Sequence, residues 1–96
     1  MITRHTNELL ARLERAHDIG CAEIRKAELL RWYERERVTK IVWRDIYEKW
    51  REITEESELL IGDSDGVWVI VYGKGVTTTK GSFLRDLREW AEVEIA

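Results

Sequence analysis

Residues 58–72 read ELLIGDSDGVWVIVY, and the hydrophobic period of this stretch decides the fold class. Upstream, as far as Ile53, apolar residues recur at helical spacing; after Thr54-Glu55-Glu56-Ser57 the period falls to two. Glu58 to Ile61 and Val67 to Tyr72 flank Asp63-Ser64-Asp65-Gly66, a set of residues that tolerates positive φ, so the stretch predicts a β-hairpin. In its second arm Val67, Val69 and Val71 take one face while Trp68, Ile70 and Tyr72 take the other. Both faces are apolar. An antiparallel sheet usually wets one face, so helices or a partner cover both, or one face is a binding surface.

Working outward, Thr6 to about His17 carries Leu9, Leu10, Leu13 and Ala16 at helical spacing, with Glu8 and Arg12 as an i, i+4 pair. Asp18-Ile19-Gly20 ends this helix, because glycine accepts the left-handed conformation that closes one. A second helix is expected from Cys21 to Arg37, with Leu29, Leu30 and Tyr33 inward and Trp32 at the border. Val38-Thr39 interrupts the run, and Thr39 is placed to cap a third helix, Lys40 to Ile53. Its inward stripe is Val42, Ile46, Trp50 and Ile53, and Ile41 points outward. Beyond the hairpin, Gly73-Lys74-Gly75 marks a tight turn, Val76 to Thr79 a short third strand, and Ser82 the cap of a last helix with Phe83, Leu84, Leu87, Trp90 and Ala91 inward. The expected class is α+β: three N-terminal helices, an antiparallel hairpin or three-stranded meander, and a C-terminal helix.

The 96 residues form one domain, 1–96, with 44 % apolar content for a single core. Little apolar surface is to spare, so a homo-oligomer is expected. Absent Pro and Gln, a single Asn (Asn7) and 36 % charged residues lean toward a thermophile. The net charge of −3 argues against a polybasic coat protein but leaves room for a local basic site. Cys21 is alone, which excludes an intramolecular disulfide and fits a reducing, cytoplasmic setting. No apolar run has the length of a membrane span, so no membrane partner is expected.

The third helix carries the functional signal. At about 100° per residue, Trp43, Tyr47 and Trp50 occupy roughly 20° to 80° around its axis, Lys40, Arg44 and Arg51 about 100° to 140°, and Asp45, Glu48 and Glu52 about 180° to 240°. Charges are thus sorted by sign, whereas a solvated face mixes them to gain i, i+4 pairs. A basic strip beside aromatic edges suits a nucleic-acid strand, whose bases stack on rings while cations hold its phosphates. On this reading Trp43, Tyr47, Trp68 and Tyr72 stack on bases or line a cleft, and Lys40, Arg44, Arg51, Lys74 and Lys80 contact phosphates. The bland alternative is that each ring is core. Three helices followed by a hairpin is also the element order of a winged helix with Lys40 to Ile53 as recognition helix, although Ile41, Asp45 and an acidic wing tip sit awkwardly there.

Other chemistry is thin. Asp63-Ser64-Asp65-Gly66 is a fragment of a calcium loop without the remaining ligands, and His5 and His17 have no cysteine pair to complete a zinc set. Ser57, Ser64, Ser82 and Cys21 have no neighbouring histidine in a nucleophile motif, and Gly73-Lys74-Gly75 is too short for a phosphate loop. No catalysis, cofactor, metal or small-molecule substrate is expected.

The cations and rings between Arg44 and Trp50, together with Val67 to Tyr72, resemble the ThermoDBP-related single-stranded DNA-binding proteins of hyperthermophilic archaea. That resemblance implies a non-OB scaffold whose subunits associate and hold extended DNA in an apolar cleft rimmed by basic residues. By element order the chain is also similar to archaeal winged-helix proteins. The expected function is sequence-independent binding of single-stranded nucleic acid, with duplex binding by a winged helix, or a protein-interaction module without nucleic acid, as alternatives.

Overall fold

The computed structural model describes residues 2–72 and 84–93. Helix α1 spans Thr3–Ile19 and ends at Gly20, whose φ of 98° is left-handed and whose N–H donates to the Ala16 carbonyl. The chain then enters a strand, β1 (Cys21–Arg25), and only afterwards α2 (Lys26–Tyr33). The single helix expected from Cys21 to Arg37 is therefore corrected. Ala22 and Ile24 are buried while Cys21, Glu23 and Arg25 are exposed, a period of two too short to stand out against the helical pattern that follows it. Pairing with the hairpin satisfies this backbone, which local propensity alone would have left helical.

Helix α3 (Lys40–Thr54) follows a connection over 34–39. Thr39 precedes it as expected, but its side chain does not cap: Oγ1 is buried without a hydrogen-bond partner, and the Thr39 carbonyl accepts from the Val42 and Trp43 N–H groups instead. Strands β2 (Leu60–Ser64) and β3 (Val67–Val71) form the predicted hairpin. Asp65 and Gly66 both have positive φ, 46° and 80°, the requirement of a tight two-residue turn matched to strand twist.

After the undescribed residues 73–83, the chain adds β4 (Leu84–Asp86) and a one-turn helix, α4 (Leu87–Trp90). Leu84 was expected inside a helix; instead it pairs with Gly62, and Asp86 caps α4 by accepting from the Arg88 N–H at 2.9 Å. The expected strand Val76 to Thr79 and the cap Ser82 lie outside the described residues, as does Phe83. Among the described residues the sheet has four antiparallel strands, in the order β1-β3-β2-β4.

The class is α+β. Helices α1 and α3 cover the face that carries Ala22, Ile24, Ile61, Trp68 and Ile70, closing a core with Leu9, Leu13, Val42, Ile46 and Trp50. Each fully buried aliphatic side chain of this kind stabilises the fold by about 1.5–3 kcal/mol. On α2 the buried residues are Leu29 and Trp32, whereas Leu30 and Tyr33 are half-buried, so the indole expected at the border is central. Trp32 reconciles burial with its polar edge by donating Nε1–H to Glu8 at 2.7 Å. The opposite sheet face, with Val67, Val69 and Val71, is half-buried.

Candidate nucleic-acid interface

The rings expected to receive bases are packed. Trp43, Tyr47 and Trp68 are 6 %, 5 % and 7 % exposed. Trp43 meets Trp68 edge-on at 5.1 Å and Trp90 at 5.2 Å, so it is wedged between the sheet and α4. Tyr72 is half-buried, with His17 stacked on it at 5.4 Å and Trp50 against its edge at 5.3 Å. Its hydroxyl bonds to Glu56, and this bond, with some burial, raises its pKa. Trp43, Tyr47 and Trp68 thus have no open face for stacking in this conformation, and one face of Tyr72 is taken by His17. The helical period had placed Trp43 and Tyr47 on a flank; the sheet on one side and α4 on the other turn that flank into interior.

The basic strip divides into two parts. Lys40 Nζ donates to Glu92 at 2.9 Å, and that bond leads the causes that hold the Glu92 carboxyl below its ordinary value. Arg44 Nε donates to the Ala91 carbonyl at 3.1 Å. Both cations therefore secure the end of α4 to the start of α3, while both side chains remain exposed. Arg51 lies over the Tyr47 ring at 5.9 Å. Lys74 and Lys80 lie outside the described residues.

Two groups near the start of α3 had looked ill suited to a recognition helix. Asp45 is in fact turned aside: Oδ2 accepts from the Tyr33 hydroxyl at 2.6 Å, and Lys49 bonds both oxygens at 2.9 Å. Burial first, then the bond to Asp45, drives the Tyr33 pKa upward. Ile41, in contrast, is 55 % exposed, on the same outward side as Arg44. The connection before α3 adds Arg35 and Arg37, both exposed and without an ion-pair partner among the described residues.

Exposed Arg35, Arg37, Lys40, Ile41 and Arg44 thus lie at and before the N-terminal end of α3, the two arginines alternating with exposed Glu34 and Glu36, and those arginines escaped the sequence reading. Their signal was the break at Val38-Thr39, which puts two arginines immediately before a helix start. Further along α3 and just past its end the exposed charges are Glu48, Arg51, Glu52 and Glu55, and the hairpin tip carries exposed Asp63 and Asp65. The hairpin tip repels a polyanion, whereas at the helix start four cations, Arg35, Arg37, Lys40 and Arg44, face three acids, Glu34, Glu36 and Glu92. No protein family, curated protein or solved structure matches this chain.

Proposed function

We propose that this chain binds double-stranded DNA as a winged-helix protein, with α3 as the recognition helix. The observation that carries the reading is the place of β1. It is inserted between the first two helices and pairs antiparallel with β3, so the order α1-β1-α2-α3-β2-β3 and the strand order β1-β3-β2 match those of a winged helix, which supports reading α2 and α3 as its helix-turn-helix and the β2–β3 turn as a short wing. The N-terminal residues of such a helix meet base edges while neighbouring cations hold phosphates. Arg44 suits guanine and the exposed Ile41 suits a thymine methyl. Arg35 and Arg37 would hold the backbone, and phosphate would compete with Glu92 for Lys40.

Covered rings favour duplex over single strands. Single-strand binding by stacking needs an accessible π-face, and the described indoles are engaged with one another or with the sheet.

Anisotropy titration with a duplex pool selected on the protein tests the reading. Duplex is retained at low salt, log K falls against log salt with a slope of about −0.9 per phosphate contact, and Arg44→Ala weakens selected sites by about 1–3 kcal/mol. Oligo-dT leaves tryptophan emission unchanged. Quenching by oligo-dT without duplex retention would overturn the proposal in favour of a single-strand function, and silence toward both would favour a protein-interaction module.

A further inference from the structure

Among the described residues β1 is an edge strand, and hydrogen bonding fixes which of its groups face outward. The Tyr72 N–H donates to the Gly20 carbonyl at 2.9 Å and the Lys26 N–H to the Gly66 carbonyl at 2.8 Å, in the same register that sets Cys21 opposite Val71. Residues directly opposite in an antiparallel ladder alternate between bonded and non-bonded pairs. Even-numbered residues of β1 are therefore bonded to β3, and Cys21, Glu23 and Arg25 turn their backbone N–H and C=O groups away from it. Beside this edge lies a cleft of about 470 Å³ bounded by Arg12, Arg15 and Ile19 of α1. Ile19 is 65 % exposed at its rim.

Two ion pairs among the described residues occupy the edge: Arg25 and Glu23 meet within the strand at 3.5 Å, an exposed contact that exchange between copies would replace, and Arg12 grips Glu28. Arg12 Nη1 donates to the Glu23 carbonyl at 2.8 Å, the Arg12 fork grips both oxygens of Glu28 at 3.1 and 2.8 Å, and Glu28 Oε1 accepts from the Arg25 N–H at 3.0 Å. Two of the outward backbone groups are thereby saturated by side chains. Bidentate pairs of this kind are the strong members of their class, and unguarded edges pair with other strands.

We propose that the β1 edge accepts β1 of a second copy, antiparallel about a two-fold axis at Ile24, and that the Arg12–Glu28 pair is the latch that holds this interface shut. Only outward-facing residues can exchange bonds, so a symmetric pairing within the strand is centred on Ala22, Glu23 or Ile24. Centring on Glu23 sets two carboxylates opposite each other, which is destabilising. Centring on Ile24 sets Glu23 of each copy opposite Arg25 of the other, twice, with opposite charges on the outer sheet face. That register uses the Glu23 carbonyl and the Arg25 N–H, the two groups that Arg12 and Glu28 now hold. Pairing and latch are mutually exclusive, and association requires the latch to swing away. The inference is independent of the DNA reading, because no nucleic acid enters it.

Sedimentation across a protein concentration series, without DNA, tests it. Arg12→Leu keeps an apolar stem against Trp32, frees the Glu23 carbonyl and leaves Glu28 held by the Arg25 N–H alone, a single bond that strand pairing displaces; it lowers the dimer dissociation constant at least tenfold relative to wild type. Glu28→Ala does the same, and if it fails to fold Arg12→Leu still decides. In the Arg12→Leu background Glu23→Pro, which removes an outward N–H and no bond to β3, returns the chain to monomer. So does Arg25→Glu, while Glu23→Arg combined with Arg25→Glu restores the dimer. Latch variants that associate no better than wild type, or a dimer indifferent to Glu23→Pro and to the charge exchange, would overturn the proposal.

Discussion

Tyr33 and Asp45 show how much one hydrogen bond decides. The 2.6 Å bond removes a carboxylate from the outward side of α3 and leaves Ile41 and Arg44 to define it. Tyr33→Phe deletes that bond but leaves Lys49 on Asp45, so a loss of about 1.5 kcal/mol is expected in urea denaturation. Glu28 gives the pH counterpart. Burial alone would raise its pKa, but the Arg12 bond, the Arg25 N–H and the charges of Arg12 and Arg31 together bring it below the ordinary value of 4.5. A depressed carboxyl contributes stability that is full above 4.5 and is lost as pH falls through the folded value. Arg12→Leu should therefore flatten the acid limb of the pH–stability profile, measured by thermal melts between pH 3 and 6, a range set around the ordinary carboxyl pKa of about 4.3. The residue types in both clusters were visible in sequence, yet Arg12 had been paired with Glu8 at i, i+4; only the approach of α2 supplied Glu28 as the better partner.

At the scale of elements, β1 is the instructive case. Cys21 to Arg25 holds only two buried apolar residues, Ala22 and Ile24, and Leu29, Leu30 and Tyr33 continue a helical pattern that absorbs them. The hairpin required a partner strand, and pairing outweighed propensity, which for strands depends strongly on context. Gly20 makes the junction. At φ 98° an added Cβ would stand 3.8 Å from the Tyr72 carbonyl oxygen, an ordinary contact, so the cost of Gly20→Ala is torsional. About 1 kcal/mol is expected, seen as a fall of roughly 4–8 °C in Tm. Helix α4 differs because it is too short to stand on propensity. Its cap at Asp86 and its ties to Lys40 and Arg44 hold it, and none of these follows from a helical period.

Across the whole molecule, the rings and cations once assigned to a ligand serve unequal roles. Trp43 lies between the sheet and α4, so Trp43→Ala should cost about 3–5 kcal/mol, a large share of a small domain's margin, while Arg51→Ala should change denaturant stability by less than about 0.5 kcal/mol. A comparable loss from Arg51→Ala would make that side chain structural. Net charge is −3, yet exposed Arg35, Arg37, Lys40 and Arg44 stand at the start of α3 among Glu34, Glu36 and Glu92, while the hairpin tip is acidic, so binding of a polyanion depends on distribution and not on the total. By itself the sequence determined the α+β class, the hairpin and its turn, α1 with its glycine stop, and the extent of α3, because period and turn chemistry are local properties of the chain. Tertiary structure alone decided that Cys21 to Arg25 is a strand, that Trp43 and Tyr47 are interior and that Arg12 guards an edge. A residue's period fixes the face it occupies on its own element, but what covers that face is set by segments far away in sequence.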